Sequence, residues 1–252
     1  MAESGRYLYA VTRGTSDAPG TGLRGAPLRD VEHRGLVAVV SEVDLDEFGE
    51  DGLKRHLEDL AWLEEVARTH DDVVREVARR GVVAPLRLAT ICRDDDGVRE
   101  RLDEWHDGLT GALDRVEGRA EWSVKLYVEA AAPDERPADE PADGPGAGAA
   151  YLMRKRTASK RRQESEQQAV ELAEKLHELA CGRAVASRRL AAQDPRLTGH
   201  AGTMVLNGAY LVPADDESFA SAVEAFAEGR TDVRVEVQGP WPPYSFATLD
   251  SP

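Results

Sequence analysis

The sequence predicts an α+β protein of two domains, and three observations support this prediction. Strand-like runs of β-branched and aromatic residues alternate with segments whose apolar residues recur every three or four positions, as in amphipathic helices. Residues 132–148 are almost entirely Ala, Pro, Asp, Glu and Gly without periodicity, which indicates a flexible linker. The chain ends in a proline-rich aromatic tail. We therefore expect an N-terminal α+β domain over residues 1–131 and a C-terminal domain over residues 149–252, a modified ferredoxin-like fold with a long leading helix and an extended C-terminal tail.

The composition limits the classes of function. The 252 residues carry a formal net charge of −15, and because phosphate binding needs positive potential at the contact, neither nucleic acid nor a lipid membrane is an expected partner. Cys92 and Cys181 form no C-x-x-C pattern, so neither a disulfide framework nor a zinc ribbon is predicted. No window has the length and apolarity of a membrane span, and the first residues do not resemble a signal peptide. We expect a cytoplasmic protein without a cofactor or metal.

The N-terminal half has the predicted order β, β, α, β, α, β. Residues 7–12 form a short aromatic and β-branched run, and residues 35–43 form a nearly continuous apolar run, typical of a central strand covered by helices. Apolar residues at helical spacing over residues 53–77 predict one long amphipathic helix or two in succession. Residues 82–92 resemble a strand that contains Pro85, which predicts a sheet edge, a strand start or a bulge.

Three consecutive aspartates at residues 94–96 precede a helical pattern over residues 98–116. Such acids could hold a divalent cation. Acids in this position more often cap the helix and interact favourably with its dipole, so the cap is the favoured interpretation. Residues 121–129 then alternate between apolar and polar side chains, which predicts a half-buried strand.

A long helix is predicted over residues 151–181, and its two halves differ. The second half has an apolar stripe that can be buried against a core. The first half carries six basic residues between positions 154 and 162 and no acid among them. We interpret this half as a solvated or partner-facing helix whose favoured partners are carboxylates of this or another protein rather than nucleic acid.

The elements after this helix predict the ferredoxin-like run. Residues 184–192 and 203–213 resemble strands, residues 215–229 a helix, and residues 231–238 a closing strand. The order after the linker is therefore α, β, β, α, β. This is a ferredoxin-like order whose first strand is missing, weak or supplied elsewhere.

The tail at residues 239–246 follows directly on the predicted strand at residues 231–238. Its three prolines fix φ and remove backbone donors, so the segment is extended and forms neither a helix nor a central strand. The rings of Trp241, Tyr244 and Phe246 are large enough to bury substantial area. We expect them to clasp the second domain, and the alternative is an exposed proline-rich peptide that a partner recognises.

No pattern of reactive residues indicates catalysis. The histidines form no pair at the i, i+3 or i, i+4 spacing of a helical metal site, and no known catalytic motif is present. His70 lies on the apolar face of a predicted helix, which indicates a core histidine bonded to backbone or to a carboxylate. Arg87 stands between Leu86 and Leu88, so its charge would need a partner if it were buried.

Several short motifs follow one another across nearly the whole chain. They are Tyr7-Leu8-Tyr9, His70, Val83-Ala84-Pro85-Leu86-Arg87, the strand around Val124-Lys125, Tyr151-Leu152 with Arg154, and Gly239-Pro240-Trp241-Pro242-Pro243-Tyr244-Ser245-Phe246. In this order they resemble the gas vesicle proteins GvpF and GvpL, and the tail is the most specific of them. One departure is visible, because the family usually continues Pro-Leu-Arg with Phe-Gly where this chain has Leu88-Ala89.

The resemblance implies a non-enzymatic accessory or minor structural protein of gas vesicle assembly. The implied partners are the small hydrophobic shell subunit GvpA and other accessory Gvp proteins, and the implied location is the cytoplasm, in association with gas vesicles. The alternative is a small-ligand-binding or enzymatic two-domain α+β protein with a cleft between its domains. The resemblance implies structural or partner-binding roles for His70, Pro85, Arg87, Tyr151, Arg154, Gly239, Pro240, Trp241, Pro242, Pro243, Tyr244 and Phe246.

Overall fold

The protein is described from a computed structural model that covers residues 3–16, 20–56, 58–129, 147–193 and 202–247, without the side chains at 147–152 and 154. It combines helices with two β-sheets. One compact unit comprises Met1–Glu121 together with Gly239–Pro252, and a second comprises Trp122–Gln238. The predicted linker lies outside the described residues up to position 146, and residues 147 and 148 begin a helix. The predicted domain limits therefore stay a prediction.

The first unit contains a sheet whose central strand is the first in the chain. Its strands are β1 (Ser4–Thr12), β2 (Arg29–His33), β3 (Leu36–Asp44), β4 (Val83–Pro85) and β5 (Ile91–Cys92). They lie in the order β2-β3-β1-β4, and β5 also pairs with β1. Residues 7–11 of β1 are all buried, as expected for an apolar central strand whose two faces are covered.

Helices of the first unit cover this sheet. They are α1 (Leu45–Phe48), α2 (Glu50–His56), α3 (Leu60–Ala78), α4 (Asp95–Glu104) and α5 (His106–Val116), with a 3₁₀ turn at Leu23–Gly25. The predicted helix over residues 53–77 is therefore two helices in succession. Asp59 separates them, because its carboxylate accepts hydrogen bonds from the N–H groups of Ala61 and Trp62, both at 3.1 Å, and so caps α3.

Two local predictions in this unit are confirmed. Pro85 lies in β4, which ends the described sheet order and pairs with β1. Asp94 caps α4, since its Oδ1 accepts from the N–H of Gly97 at 2.8 Å.

Asp95 binds two guanidinium groups, with Arg29 Nη1 at 2.7 Å and Arg6 Nε at 2.8 Å. These bonds hold the pKa of its carboxyl well below the usual range.

The second unit has its own sheet and its own core. Its elements are β6 (Arg119–Val128), α6 (Ala147–Cys181), β7 (Ala186–Arg189), β8 (Thr203–Pro213), α7 (Phe219–Glu224) with a 3₁₀ turn at Ala225–Ala227, and β9 (Val233–Trp241). The strands lie in the order β7-β8-β6-β9. The strand predicted over residues 121–129 thus supplies the first strand of this unit. The division between the two units falls within β6 and within β9.

The long helix α6 has two different halves, as the sequence predicts. Its second half buries Ala173, Leu176 and Ala180 in the core of the second unit. Residues 155–168 are exposed without exception. Strand β7 is shorter than predicted and pairs only with β8 among the described strands. Residues 187–190 are exposed.

The position of the tail differs from the sequence-based expectation. The three aromatic side chains were expected to clasp the second domain. Strand β9 instead continues past Gln238 into the first unit, and Trp241, Tyr244 and Phe246 contact groups of that unit. The reason is that the tail finds its polar partners on α3, on α5 and at Glu121, none of which a local pattern identifies.

Candidate functional site

The motif residues whose side chains are described converge mainly where the tail meets the first unit. We call this region the tail-docking site and define it as residues 239–247 with the side chains of His70, Asp71, Arg75, Arg115 and Glu121. All of these residues belong to the first unit. The site is therefore a packed and hydrogen-bonded contact between distant parts of the sequence.

His70 forms the inner part of the site. It lies on α3 with only 3% of its surface exposed, and its Nδ1 is 3.0 Å from the hydroxyl of Tyr7. That hydroxyl also accepts a hydrogen bond from the N–H of Ala89 at 3.1 Å, so its own proton is free to go to His70. Burial lowers the pKa of His70 to about 4. The ring is thus neutral at physiological pH and ties α3 to β1 and to the loop after β4.

The loop after β4 contains the position at which this chain departs from the family pattern. Leu86 N–H donates to the carbonyl of Tyr9 at 2.9 Å, and the next residues leave the sheet. Ala89 adopts a φ of 61°, in the left-handed region that favours glycine. Glycine at this position, as in the Phe-Gly of the family, would adopt this conformation without strain. Arg87 is exposed, so its charge remains in contact with water and needs no buried partner.

Tyr244 and Trp241 lie against one face of α3. The ring of Tyr244 is 6.4 Å from that of His70, centroid to centroid, and its hydroxyl donates to Asp71 Oδ1 at 3.3 Å. Asp71 pairs one turn later with Arg75, at 2.6 Å. The Arg75 guanidinium carbon in turn lies 4.4 Å from the centre of the Trp241 ring, in cation–π geometry. Burial raises the pKa of Tyr244, so its hydroxyl keeps its proton and remains a donor.

The end of the tail is fixed by a buried carboxylate. Glu121, which is 9% exposed, accepts the N–H of Ser245 at 2.7 Å and its hydroxyl at 2.6 Å. Arg115 Nη1 donates to the carbonyl of Phe246 at 2.8 Å. Phe246 itself is only 3% exposed. Hydrogen bonds to a charged group are stronger than neutral ones, so these contacts define one position for the tail.

The prolines and Gly239 shape the path of the tail. Pro242 and Pro243 are buried, and their carbonyls accept the N–H groups of the residues that follow in a tight turn. The Gly239–Pro240 peptide is cis. Gly239 has a φ of 152°, a conformation that residues with a Cβ rarely adopt. The segment is therefore extended only as far as Trp241, where β9 ends, and it turns at residues 244–246. The predicted extended conformation is confirmed only for the first part of the tail.

Two predicted site residues cannot be placed. Tyr151 and Arg154 lie in α6, and their side chains are outside the described residues. Sequence reasoning also missed Asp71, Arg115 and Glu121. The i, i+4 spacing of Asp71 with an arginine is a visible signal for a helix-surface pair, but nothing local indicates that a distant tyrosine joins it.

A second polar cluster lies in the second unit and was also missed. His177 Nδ1 is 2.8 Å from the hydroxyl of Tyr210, and His177 Nε2 is 3.5 Å from Cys181 Sγ. Sγ is also 3.3 Å from the hydroxyl of Ser187. Burial lowers the pKa of His177, so the imidazole is neutral. The i, i+4 spacing of His177 and Cys181 is visible in the sequence, and the cluster joins α6 to β7 and β8.

Among the described residues, no group of three or more His, Cys, Asp or Glu side chains is arranged to hold a metal ion. No helix in the described part of the chain has the length and apolarity needed to span a membrane.

The sequences to which this chain is similar are all described as gas vesicle proteins. The family model described as gas vesicle synthesis protein GvpL/GvpF matches residues 5–248. Gas vesicle protein L of a Streptomyces species is 42% identical over 253 residues, covering 97% of this chain and 93% of the relative. Gas vesicle protein L1 of Halobacterium salinarum is 27% identical, covering 97% and 90%. Gas vesicle protein F of the same Streptomyces strain is 26% identical, covering 95% and 98%.

Solved structures show the same fold. The crystal structure of GvpF from Anabaena sp. PCC7120 superposes with a TM-score of 0.72 at 18% identity and covers 98% of both chains. That of GvpF from Microcystis aeruginosa gives 0.67 at 18% identity, covering 97% of this chain and 99% of the other. The fold is thus GvpF-like. This chain belongs to the GvpL/GvpF family of gas vesicle synthesis proteins.

Proposed function

We propose that this protein is a non-enzymatic accessory or minor structural protein of gas vesicle assembly that binds the shell subunit GvpA and other Gvp proteins. The observation that carries the proposal is the match to the GvpL/GvpF synthesis family over residues 5–248. The similarity to gas vesicle protein L, at 42% identity over 97% of this chain, supports it.

The tail-docking site supports a structural role for the motif residues. His70 is buried and neutral, Phe246 is buried, and Tyr244 hydrogen-bonds to α3. A catalytic acid or base needs access to a substrate proton, whereas these groups are engaged with one another. We propose that they hold the tail in place and that partner binding uses other surfaces of the protein.

Binding of GvpA has a physical rationale. A hydrophobic wall subunit exposes apolar strands before it is assembled, and unpaired strand edges associate indiscriminately. This chain carries a net charge of −15, and strong net charge keeps a protein and its complexes dispersed. We propose that the protein shields GvpA in the cytoplasm and at the growing vesicle, without a cofactor and without contact to nucleic acid or lipid.

We also propose that the second unit is a modified ferredoxin-like fold. Its chain order, β6-α6-β7-β8-α7-β9, is β-α-β-β-α-β, which is the order of that fold. The sheet order β7-β8-β6-β9 supports the proposal, since it places the first and third strands of the run in the centre. The long α6 and the tail beyond β9 are the modifications.

Co-expression with GvpA tests the proposed function. A tagged form of this protein is expressed with GvpA, and both the supernatant and the affinity eluate are probed for GvpA. We expect GvpA in both fractions, because a bound subunit is shielded from aggregation. An unrelated tagged protein of similar net charge is the control for charge alone. Complete aggregation of GvpA, with none in the eluate, would contradict the proposal.

A further inference from the structure

The first half of helix α6 is exposed and does not contribute to the core of the second unit. Residues 155–168 are exposed on every side of the helix, a length of about 21 Å at 1.5 Å per residue. A helix that is polar all round is stabilised by pairs along its own surface or by a partner.

The two ion pairs described along the surface of this half stabilise the helix only weakly. We call residues 155–162 the basic segment. Lys160 lies 3.7 Å from Glu164, and Arg162 lies 2.9 Å from Glu166. In both pairs the base precedes the acid, which is the less favourable order in a helix, and exposed pairs contribute little to stability. The basic residues of this segment therefore favour binding of a partner more than they stabilise the helix. The bases of the segment are Lys155, Arg156, Lys160, Arg161 and Arg162.

The same chain carries a complementary surface. Residues 42–51, which we call the acidic segment, contain six acids and no base. The segment runs from the end of β3 to the first turn of α2. Nearby bases neutralise it only in part. Arg24 pairs with Glu47, Arg6 is 3.7 Å from Glu42 and Lys54 is 2.7 Å from Glu50. Its exposed carboxylates are those of Glu42, Asp44, Asp46, Glu50 and Asp51.

We propose that the basic segment of one copy of this chain binds the acidic segment of a second copy. Both segments are of similar length, both are exposed within the single chain, and their charges are opposite. Because the two surfaces differ, copies associate head to tail or exchange the contacts reciprocally in a dimer. The protein is thus a self-associating module, and the inference does not depend on GvpA binding.

Salt has a characteristic effect on such a contact. Whole molecules of charge −15 repel one another, and at about 0.1 M salt this repulsion is screened beyond roughly 10 Å while a direct contact still acts. At about 1 M salt the screening length falls to roughly 3 Å, and the contact is weakened too. We expect association at intermediate ionic strength and monomers at high ionic strength.

Charge reversal provides the test. The helix variant carries Lys155→Glu, Arg156→Glu and Lys160→Glu. The strand variant carries Glu42→Lys, Asp46→Lys and Asp51→Lys, none of which caps a helix. A control with Arg68→Glu, Arg79→Glu and Lys175→Glu has the same net charge change as the helix variant at exposed sites elsewhere. Sedimentation at about 0.15 M salt should show self-association weakened at least about tenfold in either test variant. The control should lose much less.

Mixing the two test variants gives the sharpest result. The helix variant keeps the wild-type acidic segment, and the strand variant keeps the wild-type basic segment. Together the two variants can therefore form the proposed contact, which neither can form between its own copies. We expect the mixture to associate although neither variant does alone. Circular dichroism shows that each variant is folded.

Three outcomes overturn the proposal. The first is a wild-type protein that stays monomeric at every salt and protein concentration. The second is a pair of folded variants that fail to associate when mixed. The third is a basic segment that binds a polyanion such as heparin or oligonucleotide while self-association is unaffected by its reversal, since the segment would then serve nucleic acid or another anion.

Discussion

Ser245 and Glu121, 124 positions apart in the sequence, are joined by two hydrogen bonds, from the N–H at 2.7 Å and from the hydroxyl at 2.6 Å. Because Glu121 is 9% exposed, its charge is partly desolvated and needs these donors. The C-terminal tail is therefore part of the first unit.

Truncation of the tail aromatics should destabilise the protein in a graded way. Phe246 is 3% exposed, so Phe246→Ala should lower the free energy of unfolding by about 3–5 kcal/mol. Trp241 is half-buried and packs on Arg75, so Trp241→Ala should cost less, about 1–3 kcal/mol. Urea unfolding measures both. Leu60→Ala, at a side chain that is 79% exposed, is the control and should change little. Equal and negligible effects at all three sites would show that the tail is not docked.

Restoring glycine at position 89 should stabilise the protein. Ala89 has a φ of 61°, and relieving this conformation should outweigh the greater chain entropy of glycine by about 0.5–1 kcal/mol. Ala67→Gly, on the exposed face of α3, is the matched control and should destabilise by a similar amount. Thermal unfolding of the two variants gives the signs. Destabilisation by Ala89→Gly would mean that the loop is not left-handed at this residue.

Stability should fall as the pH falls below about 6.5, through the titration of His70. Its folded-state pKa is lowered from 6.5 to about 4, so the unfolded chain binds the proton more readily between these values. The stability from keeping the ring neutral is full above the unfolded pKa and decreases by about 3 kcal/mol as the pH falls to 4. His70→Gln should remove this part of the pH dependence of the melting temperature. A variant with the wild-type slope would assign that slope to other groups.

Limited proteolysis tests the predicted linker at residues 132–148. Its composition predicts the first cleavage there. The two fragments should nevertheless remain together in native buffer, because β6 of the first fragment belongs to the sheet of the second unit, and the tail of the second fragment belongs to the first unit. Gel filtration after cleavage measures this. Fragments that separate without denaturant would show that neither exchange holds.

The sequence allowed much of the fold to be predicted, since strands and helices leave local patterns. The buried stripe of α3 and the cap at Asp94 follow from spacing and residue type, and the structure confirms both. The sequence predicts Pro85 at a sheet edge, a strand start or a bulge, and the structure places it in β4 at the end of the described sheet order. The docking of the tail could not be predicted, because burial of an aromatic ring shows in a local pattern whereas the identity of its partner does not. In the sequence, Glu121 is only the polar first residue of a predicted strand. The structure shows that it binds Ser245.

The measurement that tests the central claim most directly is vesicle formation in a host that carries the complete gas vesicle gene set with this gene deleted. We expect vesicles to be absent or greatly reduced and GvpA to aggregate. The wild-type gene supplied in trans should restore vesicles and dispersed GvpA. Normal vesicles in the deletion strain, with GvpA still dispersed, would contradict this role.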